Sequence, residues 1–296
     1  MGSPSSQTST VTLGRVQSPS SINTYKQCPR KYYYRYIAGL PSRPSIHLIR
    51  GKVVHTALEK FFDADVTNIP EKNFFFTLKV VLNERFKEAW RAAANDFAEL
   101  ELSEERLQGY YDETKQMINN YFSYFLEKSN YFLRFMRPHE AWAAVKPQRE
   151  MHFESKLHRV HGYIDAIHDE AGKTLILDYK TSRRSVLTEE YKLQLSIYAM
   201  MYQEQYHTPD LVGIYFLRDG KEVLLDVTQE LIDAARSEVE AVHIATQTNE
   251  ENDYPMRPGP LCKWATGQCD FYEYCFLGKK AEKREPEKEL FIELSE

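Results

Sequence analysis

Gly162-Tyr163-Ile164-Asp165 and Leu175-Ile176-Leu177-Asp178-Tyr179-Lys180 are two apolar runs that each carry an acid, separated by the polar break Asp169-Glu170-Ala171-Gly172-Lys173. Val, Ile, Leu and Tyr on either side of a Gly-containing break predict a β-hairpin with a short loop. In an antiparallel pair that closes near Ala171, Asp165 and Asp178 stand at about the same level on neighbouring strands. The two-residue period of a strand then places Asp178 and Lys180 on one face and Leu175, Leu177 and Tyr179 on the other. Two carboxylates and an ammonium converging on a greasy hairpin are costly to bury unless they are paired or hold a cation. The hairpin is therefore the candidate metal site.

The surrounding chain fits a folded α/β protein. It has 296 residues, 42% of them hydrophobic and 13% aromatic, which is enough for a substantial core. A net charge of −5 gives no global basic signature, so any nucleic-acid contact has to come from a local patch. No apolar run approaches the roughly 18 to 20 residues that span a bilayer. Residues 1–17 read as a disordered leader without a secretory signal, and residues 279–296 as a charged, solvated tail. A cytoplasmic location without membrane contact is expected.

Helices are predicted at residues 22–37, capped from Ser18-Pro19-Ser20-Ser21, and at 48–62, with Val54, Leu58 and Phe61 on one face. The first carries Arg30-Lys31-Tyr32-Tyr33-Tyr34-Arg35-Tyr36. Cations interleaved with aromatics suit contact with a nucleic-acid backbone plus base stacking, through Arg30, Lys31 and Arg35. The same pattern also fits an amphipathic helix whose tyrosines enter the core. Residues 64–140 read as a helical insertion with core stripes and no obvious chemistry. From about Val145 the period becomes two, with a strand at 150–153 ahead of the hairpin. A helix at 189–206 capped by Thr188, a strand pair turned at Asp219-Gly220 and a helix from Thr228 follow.

Cys28 stands near the start, while Cys262, Cys269 and Cys275 follow one another as C-x6-C-x5-C. Two disulfides are not expected in a reducing compartment. Clustering beside Pro260 and Gly267 points to metal or cluster ligation, and spacing alone does not choose between Zn²⁺ and iron–sulfur.

Taken in order, Gly162-x-x-Asp165, Asp178-x-Lys180 and Gln194-x-x-x-Tyr198 resemble the motifs of the PD-(D/E)XK nuclease superfamily, and more narrowly its RecB-like branch. His55, in Arg50-Gly51-Lys52-Val53-Val54-His55, resembles the histidine of the family's early helix. One cysteine before that histidine and three after the last helix resemble the iron–sulfur subgroup, which includes AddB-type helicase–nuclease subunits and CRISPR-associated exonucleases. The common pattern has two residues in the first interval of the late cysteines; this chain has six.

The resemblance implies a restriction-endonuclease-like α/β core over 18–278, a central mixed sheet flanked by helices, with 64–140 inserted and 255–278 as the cysteine segment. It implies a metal-dependent DNA nuclease, an exonuclease acting on DNA ends in repair or CRISPR adaptation, with a helicase or adaptation proteins as partners. Asp165, Asp178, Lys180, Gln194 and Tyr198 would be catalytic. His55, Asp165, Asp178 and the carbonyl of Tyr179 would hold Mg²⁺ or Mn²⁺, with Glu150 or Glu154 completing the acidic ring. Cys28, Cys262, Cys269 and Cys275 would bind a [4Fe–4S] cluster, with Zn²⁺ the alternative; Arg183 and Arg184 join Arg30, Lys31 and Arg35 as DNA contacts. Two rivals carry the same residues: a non-cleaving DNA-binding or scaffolding module, and a zinc-stabilised adaptor acting through Leu290-Phe291-Ile292-Glu293-Leu294.

Overall fold

The computed structural model describes residues 15–170, 172–265 and 267–281, with the side chain of Glu170 excepted. The tail from 282 onward, with its Leu290–Leu294 stretch, and most of the expected leader lie outside those residues. Helices α1 (Pro19–Gln27), α2 (Pro29–Tyr32), α3 (Ile46–Phe61), α4 (Phe74–Ala92), α5 (Ala94–Ala98), α6 (Glu104–Phe132) and α7 (Pro138–Val145) precede strands β1 (Gln148–Ser155), β2 (Val160–Glu170) and β3 (Lys173–Lys180). Then come α8 (Glu189–Gln205), β4 (Leu211–Phe216), β5 (Lys221–Asp226) and α9 (Gln229–Ala245), and finally the short β6 (Lys263–Trp264), β7 (Gly267–Gln268) and α10 (Tyr272–Phe276).

The five long strands form one sheet in sequence order. All neighbours are antiparallel except β3 and β4, which run parallel and are joined across the sheet by α8. The fold is thus α/β with a mixed sheet. Alternation along the strands feeds two cores. Leu177, Tyr179, Tyr215 and Ala166 pack under α3, α4 and α6. Ile176, Val212, Ile214 and Phe216 pack under α8 and α9, where Leu195, Ile197, Met200 and Met201 are buried. Ser18, Thr188 and Thr228 cap α1, α8 and α9 as their sequence positions predict.

Two expectations change. The helix expected over 22–37 breaks at Cys28, which is extended at φ −160° and ψ 110°. Pro29 is the cause, because its ring disfavours helical geometry in the residue before it and it has no N–H to continue the ladder. The helices of 64–140 are also more than an appendage. Leu78, Leu82, Phe86, Ile118 and Phe122 share a core with Leu177 and Tyr179, so this stretch is the layer covering one face of the sheet. Among the described residues, no helix is long and apolar enough to cross a membrane.

A third, aromatic core ties the beginning of the chain to its end. Tyr32, Tyr33 and Tyr34 are buried with Tyr254 and Phe271, and the rings of Tyr32 and Tyr254 stack at 6.0 Å. Of the two uses open to that tyrosine run, the structure supports core packing over base stacking.

Candidate metal and catalytic centre

The hairpin register runs from Glu170↔Lys173 to Ala166↔Leu177 and then stops. One step further, where Asp165 and Asp178 would face each other, the strands fork. Asp165 fills the gap: its Oδ2 accepts the Tyr179 N–H at 2.7 Å, replacing the lost ladder bond. Across β1, the matching interruption falls at Glu150, which is absent from the β1–β2 register and adopts φ +46°. Side-chain alternation flips there. Ile164 and Ile167 both face α8, whereas Ala166 faces the α3 layer, so strict alternation is broken between them. That flip delivers Asp165 and Glu150 to α3.

What α3 offers is His55. Its Nδ1 lies 3.2 Å from Asp165 Oδ1 and 3.8 Å from Glu150 Oε1. Its Nε2 is 3.1 Å from the Tyr179 carbonyl. A ring N–H held by a backbone carbonyl, with the other nitrogen turned to carboxylates, is how metal-ligating histidines are usually oriented. The donor atoms of His55, Glu150 and Asp165 lie within 4.8 Å of one another. Two carboxylates and an imidazole fit a divalent cation such as Mg²⁺ or Mn²⁺. Glu150, rather than Glu154, is therefore the acid brought to this group. The Tyr179 carbonyl, expected as a further ligand, lies against the Nε2 of this histidine.

Asp178 and Lys180 point to the other side of the fork, as their strand parity predicts. Lys180 Nζ sits 2.7 Å from Asp178 Oδ2 and donates to Gln194 Oε1 at 3.0 Å. The Gln194 amide donates to Asp178 Oδ1 at 2.9 Å and to Tyr198 OH at 2.8 Å. Tyr198 packs closely over Gly162, where a Cβ would lie 3.2 Å from its ring. Tyr191, which the sequence did not single out, places its ring 5.3 Å from the Lys180 ammonium. Only its spacing one turn before Gln194 could have flagged it. Asp178 is not among the three residues that share the 4.8 Å group. Its buried Oδ2 is held by the Lys180 ammonium.

The electrostatics separate the two aspartates. Burial works against ionising either one. At Asp165 the charge of His55 and its hydrogen bond, with Lys180 and the Tyr179 N–H, outweigh burial and hold the carboxyl below its usual range. At Asp178 burial prevails over Lys180, reinforced by the negative charge of Asp165, and its carboxyl is pushed up to about 6. His55 is raised well above its ordinary value, since Asp165, Glu150 and Asp178 together overcome burial. Lys180 is likewise raised against burial by Asp178 and Asp165, and so stays charged.

The proposed DNA contacts divide. Arg30 turns inward to Glu251 and the Tyr254 carbonyl, and with its side chain only 15% exposed it clamps the aromatic core instead of facing a ligand. Lys31 donates to Gln27, and Arg35 lies over Tyr36. Arg183 and Arg184 are exposed in the loop that follows Lys180.

All four cysteines are free thiols and line one cavity beneath Trp264 and Phe271. β6 and β7 pair antiparallel, Lys263↔Gln268 and Trp264↔Gly267, which brings Cys262 and Cys269 level with each other. The Cys269 N–H donates to the Cys262 carbonyl at 2.9 Å. Burial, with the other three cysteines nearby, pushes Cys275 up to about 11. Among the described residues, no three cysteine sulfurs come within 4.8 Å of one another.

Acids and an imidazole sharing one space beside a lysine, on the strands of a mixed sheet, are the equipment of a metal-assisted hydrolase. More particularly, the chain belongs to the PD-(D/E)XK nuclease superfamily, whose model matches residues 17–276. A solved structure of a candidate exonuclease from Eubacterium rectale is similar to it at 12% identity and a TM-score of 0.47, over 88% of this chain and 91% of the other. No curated protein sequence matches it.

Proposed function

We propose that the protein is a divalent-cation-dependent deoxyribonuclease that digests DNA from its ends. The observation that carries this reading is the meeting of His55, Asp165 and Glu150 within 4.8 Å, beside the Asp178–Lys180–Gln194 network. When bound there, the cation supplies Lewis acidity to the scissile phosphate and a water acidic enough to yield hydroxide near neutral pH. Asp165, anchored by the Tyr179 N–H, keeps its second oxygen for the cation, and His55 offers Nδ1. Asp178, whose Oδ2 meets the Lys180 ammonium at 2.7 Å, has that oxygen's remaining lone pair as the next ligand. Lys180, kept cationic by Asp178 and steered by Gln194, orients the attacking water or stabilises charge growing on the phosphate. Tyr198 holds Gln194, and the exposed Arg183 and Arg184 contact the DNA backbone.

In the same proposal, Cys28, Cys262, Cys269 and Cys275 bind a [4Fe–4S] cluster, as in the RecB-like iron–sulfur subgroup. The cluster would staple α1 and α2 to the cysteine segment alongside the aromatic core. A helicase or CRISPR adaptation proteins are the partners that the family resemblance suggests, in repair or spacer acquisition.

End-labelled linear and closed-circular DNA incubated with Mg²⁺, Mn²⁺ or EDTA tests the activity. Release of mononucleotides or short oligonucleotides from linear substrates, with circles spared and EDTA inhibiting, is expected. Cleavage of circles would make the enzyme an endonuclease, and no cleavage with either metal would remove the hydrolytic reading.

A further inference from the structure

Two arginines near Lys180, Arg50 and Arg218, have no part in the proposed chemistry. The Leu217 N–H donates to the Lys180 carbonyl at 2.9 Å, so Arg218, the next residue, emerges beside the end of β3. From the other side, α3 crosses over the same point, since a Cβ on Gly51 would lie 4.0 Å from Thr181 Oγ1. Arg50, its neighbour, is buried at 4% side-chain exposure against α6, where Nε donates to Thr114 Oγ1 at 2.9 Å and the guanidinium lies 5.0 Å from the Tyr110 ring centre.

One carboxylate oxygen faces both arginines. Glu113 Oε2 is 3.2 Å from Arg50 Nη2 and 3.6 Å from Arg218 Nη1. Neither Glu113 Oε2 nor Arg50 Nη2 forms a hydrogen bond of proper geometry. A buried guanidinium with an unmet donor is costly, and a single misaligned, 40%-exposed carboxylate satisfies it poorly. The local field is positive as well. Burial, with Arg50 and Arg183 close by, lowers the pKa of His47, which sits edge-on to Tyr110. Asp219, next to Arg218 in the chain, is engaged by the Ser185 hydroxyl. A phosphodiester offers two non-bridging oxygens and a full negative charge, which match guanidinium forks better than Glu113 does.

We propose that Arg50 and Arg218, with Arg183 at the rim, form a phosphate subsite for the DNA strand next to the cutting centre, and that Glu113 occupies it until a backbone phosphate displaces the carboxylate. This rests on DNA being the substrate. It adds the path of the strand: from the metal group over Gly51 and Thr181 into the arginine pair.

The test uses the full chain in EDTA, so that binding is read without cleavage, and a fluorescein-labelled single-stranded oligonucleotide over a salt series. Glu113→Gln removes the competitor and binds about twofold to fivefold tighter, the worth of a half-exposed ion pair. Arg218→Gln binds about tenfold weaker, and its slope of log affinity against log salt is shallower by about 0.7, the value of one phosphate contact on a single strand. In a scan of methylphosphonate linkages, one neutral position weakens the wild type and leaves Arg218→Gln unmoved. Both side chains are partly exposed, and thermal melts confirm that the variants fold. Wild-type affinity and slope in both variants would overturn the subsite while leaving the nuclease reading standing. A wild-type chain that neither binds nor cuts DNA would remove both.

Discussion

The protonation state of His55 makes the metal centre testable before any DNA is cut. Without a cation the imidazole is held well above its ordinary pKa by Asp165, Glu150 and Asp178. At neutral pH both ring nitrogens then carry protons, Nε2–H on the Tyr179 carbonyl and Nδ1–H on Asp165. A cation that takes Nδ1 must expel that proton. Mn²⁺ binding near pH 7 is therefore expected to release about one proton, and affinity to rise about tenfold, or 1.4 kcal/mol, per pH unit up to the pKa of His55. Below about 6, where Asp178 also takes up a proton, the slope steepens toward two decades per unit. Titration calorimetry in buffers of different ionisation enthalpy counts the protons directly. His55→Ala should bind Mn²⁺ more weakly and release none at neutral pH. Affinity that stays flat between about pH 6 and 8, with no proton released, would refute the imidazolium and its place on the metal. Stability of the metal-free protein carries the opposite sign. The raised His55 pKa contributes stability that is fully present below about 6.5 and is lost as pH rises through the folded value.

Other outcomes follow from the same geometry. Asp178→Ala and Lys180→Ala should each lower cleavage by about 10²–10³ or more while DNA binding survives, because one removes a proposed metal ligand and the other the proposed cation beside the reacting phosphate; full activity in either variant removes that residue from the chemistry. In metal-free protein the raised carboxyl of Asp178 makes its ionisation costly, so urea titrations should show the stability gap moving in favour of Asp178→Asn by about 3 kcal/mol between about pH 4 and 7. Glu150→Gly should relieve about 1 kcal/mol of backbone strain at φ +46° yet weaken Mn²⁺ binding; a variant that is less stable than wild type would remove the strain argument. Protein purified without oxygen should be brown with broad visible absorbance, whereas colourless protein holding stoichiometric zinc would end the iron proposal.

Much of this was legible because strand physics is simple. The turn between the apolar runs, the level of Asp165 and Asp178, and the shared face of Asp178 and Lys180 all follow from a period of two, and the register agrees. Cap residues located α1, α8 and α9 for the same reason. The break at Cys28 was readable too, from Pro29, and was missed because the apolar periodicity continues through it. Local rules could not say whether Tyr32, Tyr33 and Tyr34 face solvent or core, since that depends on Tyr254 and Phe271, more than 200 residues away. The choice between Glu150 and Glu154 was closed to alternation as well. The β1–β2 register decides it: Glu154 pairs with His161, while Glu150 stands at the gap opposite Asp165.

The reversed φ at Glu150 bears on how the site exists at all. In a β2 that kept the parity of Ile167 throughout, Asp165 would look toward α8, on the far side of the sheet from His55. Asp178 does look that way, and finds Gln194. Placing both aspartates in one cleft, yet against different helices, requires the strands to part between them and the alternation to slip on one strand only. Asp165 anchors itself across that gap through the Tyr179 N–H, and Glu150 takes the unfavourable dihedral opposite it. The backbone irregularity thus sets the two carboxyls in unlike surroundings. One is paired with an imidazolium and stays charged, while the other is raised by burial and tied to a lysine. A regular hairpin would have given them the same environment and no reason to divide the labour.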